Sequence, residues 1–186
     1  MSELDQLLSE IQQAESNSQA QKNWQPGNTG AIDIRIAVDG TWYHEDRVFQ
    51  RASMTRLFAS VLHREDNQYY LLTPVEKLSI RVDDAPFVAT MVEQIPDGEN
   101  NALVFTTNLG ERIVADADHP IRVEIDPVSN EPRPYIHVRD GLEALIGRNA
   151  FFELVNMAST TELDGNQYLT ITSMGTDFIL GRADEN

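Results

Sequence analysis

Four histidines, a preponderance of arginine and one tight acidic loop are the parts of this 186-residue sequence with chemistry to offer. Asp116-Ala-Asp118-His119 puts two carboxylates and an imidazole within four positions, an oxygen and nitrogen donor set of the kind divalent cations use. Three neighbouring loop residues do not complete a coordination shell, so neither a metal nor another cofactor is expected, and no catalytic residue is assigned. A metal-dependent hydrolase built on His119 with Asp116 or Asp118 is the least favoured function class. His44 and His119 flank turns in opposite halves of the chain and could face one cleft, although a structural role is the default for each. His63, beside Arg64, is expected at a helix end, where the dipole favours a cation. Gly-rich phosphate loops, HExxH helices and nucleophile elbows are absent, and there is no cysteine, which removes disulfides, thiol catalysis and iron–sulfur clusters.

The basic residues carry the stronger signal. Lys and Arg number 14 against 30 Asp and Glu, a net charge of −16, and all but Lys22 and Lys77 are Arg. A guanidinium grips a carboxylate or phosphate through two parallel hydrogen bonds in a fixed geometry. So acidic a chain is a poor partner for a nucleic-acid duplex or an anionic membrane, whose charges would repel it. A few fixed cations in a negative surface still make a local pocket that a compact anion can enter. A base-stacking aromatic beside a cation would mark such a pocket. Trp42 with Arg51, and the Phe151 neighbourhood with Arg139 and Arg148, are the pairs that qualify.

Those groups need a scaffold, and a 41% hydrophobic content suffices for one. Leu4, Leu7, Leu8, Ile11 and Ala14 fall on one stripe, predicting a helix over 3–14 with Ser2 as N-cap. A polar stretch from Ser16 to Thr29 reads as a linker, pinned by Trp24. Ile32, Ile34 and Ile36 alternate with polar residues as in a half-buried strand, and Asp39-Gly40 turns the chain into a returning strand over 41–44. Met54, Leu57, Phe58, Val61 and Leu62 predict a helix from about Ser53 to His63. Strands follow over 69–72 and 75–82, then 87–94, 102–107, 112–115, 121–125 and 135–138. Asp140 with Glu143 reads as a capping box opening a helix that runs to Ala158. Residues 168–172 and 178–180 read as a closing hairpin. Ile80-Arg-Val-Asp-Asp84 echoes Ile136-His-Val-Arg-Asp140 in spacing.

Several strings standing in order carry a family resemblance. They are Gly40-Thr-Trp42-Tyr43, Arg51 with Arg56-Leu-Phe-Ala-Ser60, Tyr69-Tyr-Leu-Leu-Thr-Pro-Val-Glu-Lys77, Asp84-Ala-Pro-Phe87, Thr106-Thr-Asn108-Leu-Gly110, His119-Pro-Ile-Arg122, and Pro134-Tyr135 with Val138-Arg139. Together they resemble the bacterial family known as domain of unknown function 1285, from about Trp24 to Ala158. The resemblance implies an α+β chain of two small domains with related strand-rich cores, a domain duplication. The second would be a bent antiparallel sheet or partial barrel capped by a helix, loosely like pleckstrin-homology folds. The expected layout is a helix and linker over 1–23, an α+β domain over 24–84, a barrel-like domain over 85–158 and a hairpin extension over 159–186. The family's shared positions are thought to meet between the domains. Carried over by motif, they are Trp42, Arg51, Glu76, Lys77, Asp84, Asn108, His119, Arg139 and Arg148. This chain has Asp46-Arg-Val-Phe49 where the family tends to Gly-x-Pro-Ile, so the loop before Arg51 departs from the pattern.

The functional expectation is a cytoplasmic, non-catalytic sensor or binding module of bacterial signal transduction. It would hold a small anionic, nucleotide-like ligand between the domains. Lys77, Arg139 and Arg148 would meet phosphates, Asn108 and Glu76 a base or sugar edge, and Trp42 would stack. The alternative is a protein-interaction adaptor in which these residues serve the domain interface. The start, Met1-Ser-Glu-Leu-Asp5, lacks the basic-then-apolar pattern of a secretory signal.

Overall fold

The computed structural model describes residues 3–15, 24–98 and 100–183. The chain divides into two compact units, Met1–Asp84 and Ala85–Asn186. The N-cap expected at Ser2 and most of the expected linker lie outside the described residues. Among the described residues no helix is long and apolar enough to cross a membrane.

The first unit contains α1 (Glu3–Glu15), β1 (Asn28–Ile36), β2 (Trp42–His44), β3 (Arg47–Val48), α2 (Ala52–Ser60), β4 (Leu62–Glu65), β5 (Gln68–Leu72) and β6 (Glu76–Val82). Its six strands form one sheet in the order β3-β2-β1-β6-β5-β4. Alternation along β1 buries Ile32, Ile34 and Ile36 on one face, where Trp42, Leu71, Leu78 and Ile80 join them. Phe58 and Ala59 of α2 are buried, and α1 packs against α2 with Leu7 and Ile11 fully enclosed. The opposite face is polar: Arg35 holds Asp83 through Nε at 3.0 Å, and Arg81 holds Asp33 at 2.8 Å.

The second unit contains β7 (Phe87–Asp97), β8 (Asn100–Thr107), β9 (Arg112–Val114), β10 (Ile121–Ile125), β11 (Pro132–Arg139), β12 (Leu142–Ile146), α3 (Arg148–Met157), β13 (Ser159–Leu163), β14 (Asn166–Ser173) and β15 (Thr176–Arg182). Its six-stranded sheet runs β10-β11-β12-β7-β8-β9, and β13-β14-β15 form a second sheet. The three-stranded sheet packs β15 against β10 and β14 against β8. Ser173 stitches the layers together: its hydroxyl accepts the Leu103 N–H at 2.9 Å and donates to the Ala115 carbonyl at 2.6 Å. The hairpin expected as an extension is thus a layer of this unit's core, with Ile171, Phe178 and Leu180 buried. The helix α3 packs on β7 and β14, inner strands of the two sheets.

The two six-stranded sheets share one topology. Each is a three-stranded antiparallel meander followed by another, with the first and sixth strands paired in parallel at the centre, β1 with β6 and β7 with β12. In the second unit this central pair corrects the expected antiparallel sheet, which is mixed. Bulges between Ala31 and Arg35, Ala89 and Met91, and His137 and Arg139 bend the strands.

Three local expectations change. The helix read from Ser53 to His63 ends at Ser60, and Leu62–Glu65 is a strand. The helix read from Asp140 begins at Arg148: Asp140 and Gly141 have φ of 45° and 76° and form the hairpin turn joining β11 to β12. The capping box is therefore a turn. The echo between Ile80–Asp84 and Ile136–Asp140 does not follow the shared topology, because β6 is the sixth strand of its sheet and β11 the fifth.

Candidate functional site

Strand direction decides which candidate residues can meet. In the second unit β7, β10 and β12 begin, and β8 and β11 end, at one end of the sheet. That end collects Asn108 after β8, His119 before β10 and Arg139 closing β11, each from a separate segment.

Asn108 is held by Val88 at the start of β7. Its backbone N–H donates to the Val88 carbonyl at 2.8 Å and its Oδ1 accepts the Val88 N–H at 3.1 Å. Thr107, buried, accepts the Leu109 and Glu111 N–H groups on its hydroxyl and so shapes the turn that carries Asn108. Arg139 lies with its guanidinium 5.3 Å from the centre of the Phe87 ring, and Nη1 donates to Glu111 Oε2 at 3.3 Å. The cation is thus seated on a buried aromatic, and its pair with Glu111 is a long one.

His119 sits in a loop that Asp116 organises, its Oδ1 accepting the N–H groups of Asp118 and His119 at 2.9 and 2.8 Å. This is an Asx turn, which spends the carboxylate on the backbone. His119 Nδ1 is 3.2 Å from the His137 carbonyl, an acceptor only, so the proton belongs on Nδ1. His137 stacks on it with centroids 5.8 Å apart, approaches the Asp118 carbonyl through Nδ1 at 3.0 Å, and accepts the Gly141 N–H on Nε2 at 3.2 Å. Among the described residues no three His, Asp or Glu side chains gather as metal ligands.

Arg148 stands elsewhere. It follows the far end of β12, is 80% exposed, and faces Glu131 of the β10–β11 turn at 3.9 Å. The expected convergence of Arg139 and Arg148 is therefore corrected. Five residues of strand, about 17 Å at 3.3 Å each, lie between the two ends.

In the first unit Glu76 and Lys77 are consecutive on β6 and point to opposite faces of the sheet. Lys77 Nζ contacts Glu65 Oε2 and lies 4.3 Å from the centre of the Tyr70 ring. Glu76 lies on the side of α1, where its own burial, then Glu10 and Glu3, push its carboxyl above the usual range. Trp42 is 2% exposed, tilted against Phe49 at 6.0 Å, with Phe49 in turn against Phe58. Its surface belongs to the core, which corrects its expected stacking role, and among the described residues Nε1 has no hydrogen-bond partner. Arg51 precedes α2, exposed and without an ion-pair partner among the described residues, its carbonyl accepting the first amides of the helix. Asp84, half-buried, is the last residue of the unit.

Sequence reasoning missed His137 and Glu111, the direct neighbours of His119 and Arg139. His137 had a signal, since it precedes Arg139 by two on the same strand, although the bulge between them breaks the alternation.

Two family models match the chain: the N-terminal domain of DUF1285, a domain of unknown function, over residues 21–85, and the C-terminal domain of the same family over 86–180. The second match runs past Ala158, through the three-stranded sheet. A crystal structure of a DUF1285 family protein from Silicibacter pomeroyi DSS-3 is similar with a TM-score of 0.79 at 46% identity, covering 87% of this chain and 86% of that one. Another, of a DUF1285 family protein from Shewanella baltica OS155, has a TM-score of 0.53 at 27% identity, covering 66% of this chain and 90% of that one. No curated protein matches. With both halves matched in order and a solved relative along most of its length, this two-domain, strand-rich chain belongs to the DUF1285 family.

Proposed function

We propose that the protein is a non-catalytic module that binds a small anion such as a nucleotide phosphate, with Arg139 as its receptor, and serves as a sensor in bacterial signalling. The observation that carries the reading is the delivery of Asn108, His119 and Arg139 to one end of the second sheet by three separate segments. Arg139 is held by Phe87 in a defined place. Its contact to Glu111, at 3.3 Å, is longer than a usual charge-assisted bond. His119 Nδ1 is engaged by a carbonyl, which leaves Nε2 to meet a ligand hydroxyl or, protonated, a phosphate. Net negative charge elsewhere selects compact anions over polyanions. The proposal extends to a kinship of the second unit with pleckstrin-homology folds, supported by a mostly antiparallel sheet leading directly into a helix.

The test is calorimetry against inorganic phosphate and a panel of nucleoside mono-, di- and triphosphates. One ligand class should bind, and Arg139→Ala should weaken it about tenfold or more, the worth of a charged hydrogen bond. Absence of binding across the panel, or an affinity indifferent to Arg139→Ala, overturns the reading.

A second reading, an adaptor for a protein partner, is favoured by Lys77. This residue is committed to Glu65 and Tyr70 of its own sheet, which suits a structural duty. Lys77→Ala would then lower the melting temperature and leave every small molecule unaffected, and a partner captured from lysate would be released by salt.

A further inference from the structure

We propose that α1 is a pH-dependent clasp on the first unit: it docks through Leu7 and Ile11, and the meeting of Glu76 with Glu10 weakens that docking once the Glu76 carboxyl is ionised. The inference is independent of any ligand. The helix lies ahead of residue 21, where the match to the family's N-terminal domain begins.

The apolar side of the contact is unambiguous. Leu7 and Ile11, one turn apart, are fully enclosed, and α1 packs against α2. The polar side works against this. Thr73, fully buried in the turn between β5 and β6, accepts the Val75 and Glu76 N–H groups on Oγ1 at 3.3 and 3.0 Å. The same oxygen lies 3.3 Å from Glu10 Oε2 and 3.2 Å from the Glu76 carbonyl, so its one proton serves either acceptor. This anchors the Glu10 carboxylate beside the start of β6, where Glu76 emerges on the same side.

The charges that act on the Glu76 carboxyl, those of Glu10 and Glu3, have one sign. From α1 come Glu10 and the exposed Glu3, while Asp5, also exposed, makes an interaction of its own; the helix contains no basic residue. From α2 the one ionisable side chain is Arg56, exposed and making an interaction of its own. From β6 itself the nearest cation, Lys77, points to the other face and is held by Glu65. Undocking removes the burial and the two acidic neighbours that raise the Glu76 carboxyl, returning it to the ordinary carboxylate range. The sign follows: the carboxyl is raised when docked, so docking is strongest below the ordinary range and weakens as pH rises through the raised value. Each unit of difference between the docked and undocked carboxyl changes the docked-to-free ratio about tenfold.

The chain has no cysteine, so labels can be placed at will. Spin labels on Gln13→Cys of α1 and Asn67→Cys of the β4–β5 turn, both exposed, report docking as an inter-label distance in the full chain. At about pH 5 a single narrow distance is expected, and at about pH 8 a second, broad population should grow several-fold. Leu7→Ala with Ile11→Ala calibrates the released signature. Glu76→Gln should stay narrow at both pH values, and Glu10→Gln, altering the opposite partner, should do the same. A wild-type distribution unchanged between the two pH values, or either variant retaining the wild-type response, overturns the clasp.

Discussion

The two six-stranded sheets share their strand order and carry the same device on their polar faces with the charges exchanged. In the first, Glu65 of the fourth strand reaches Lys77 of the sixth across Tyr70 of the fifth. In the second, Arg122 of the fourth strand reaches Glu143 of the sixth across Tyr135 of the fifth, with the guanidinium 4.4 Å from the ring centre. The geometry is a property of three adjacent strands; which end carries the cation is open to either choice. The two clasps nevertheless differ in strength. Arg122 meets Glu143 through Nε and Nη2, both at 2.6 Å, with Glu143 largely shielded, whereas Lys77 is a single point charge on a half-exposed Glu65. A planar fork that fits its acceptor loses less by being fixed.

The widest contrast between the units is what covers each sheet's apolar face, and the largest expected effects lie there. Ser173→Val strands two buried backbone groups, those of Leu103 and Ala115, and should cost the second unit about 2–4 kcal/mol in denaturant unfolding. Leu7→Ala, at the helical cover of the first unit, should cost about 2–5 kcal/mol if α1 is integral to that core and less if it detaches before the core melts. Next come the clasps. Glu143→Gln should lower stability by about 1–2 kcal/mol, and Lys77→Met by no more than about 1 kcal/mol. The charge-exchanged double variant Glu65→Arg with Lys77→Glu should recover most of what either single change loses, whereas additive losses would break the equivalence of the two devices. The smallest effect is in acid. Amides of Val128 and Ser129, with Arg133, hold Asp126 in the β10–β11 turn down to about 2. Its contribution is present above the ordinary carboxylate range and is lost as pH falls through about 2, opposite in sense to Glu76. Carboxyl titration by NMR should find Asp126 below the others and Glu76 above them.

Much of the fold was legible where one face of a strand is buried and the other wet. The predicted strand 121–125 coincides with β10, and Ile32, Ile34 and Ile36 marked β1 by period alone. Legibility failed where one pattern satisfies two periods. Leu142, Leu145 and Ile146 suit a helix as well as a strand, and the Asp-Gly turn at 140–141 was the arbiter left unused. Val61 and Leu62 prolonged the period of α2 although the chain had already turned into β4. The strand β13 offered no pattern, because all five of its residues are exposed. The site fared similarly. Asn108, His119 and Arg139 could be named from motifs, but their gathering at one end follows from strand directions that no local string encodes. Arg148 was grouped with Arg139 around Phe151 and instead lies a strand's length away.

The parallel pair at the middle of each sheet has a consequence for how the chain reaches its shape. The partner of β1 is β6, and that of β7 is β12, so in each unit the two halves of the sheet cannot join until the last of six strands has left the ribosome. Such distant pairing makes for slow folding, and until then one side of β1 and of β7 is a bare ribbon of amides and carbonyls that invites wrong partners. Truncation before Glu76 or before Leu142 would leave that ribbon open for good, and aggregation of the shortened chains is the outcome to look for.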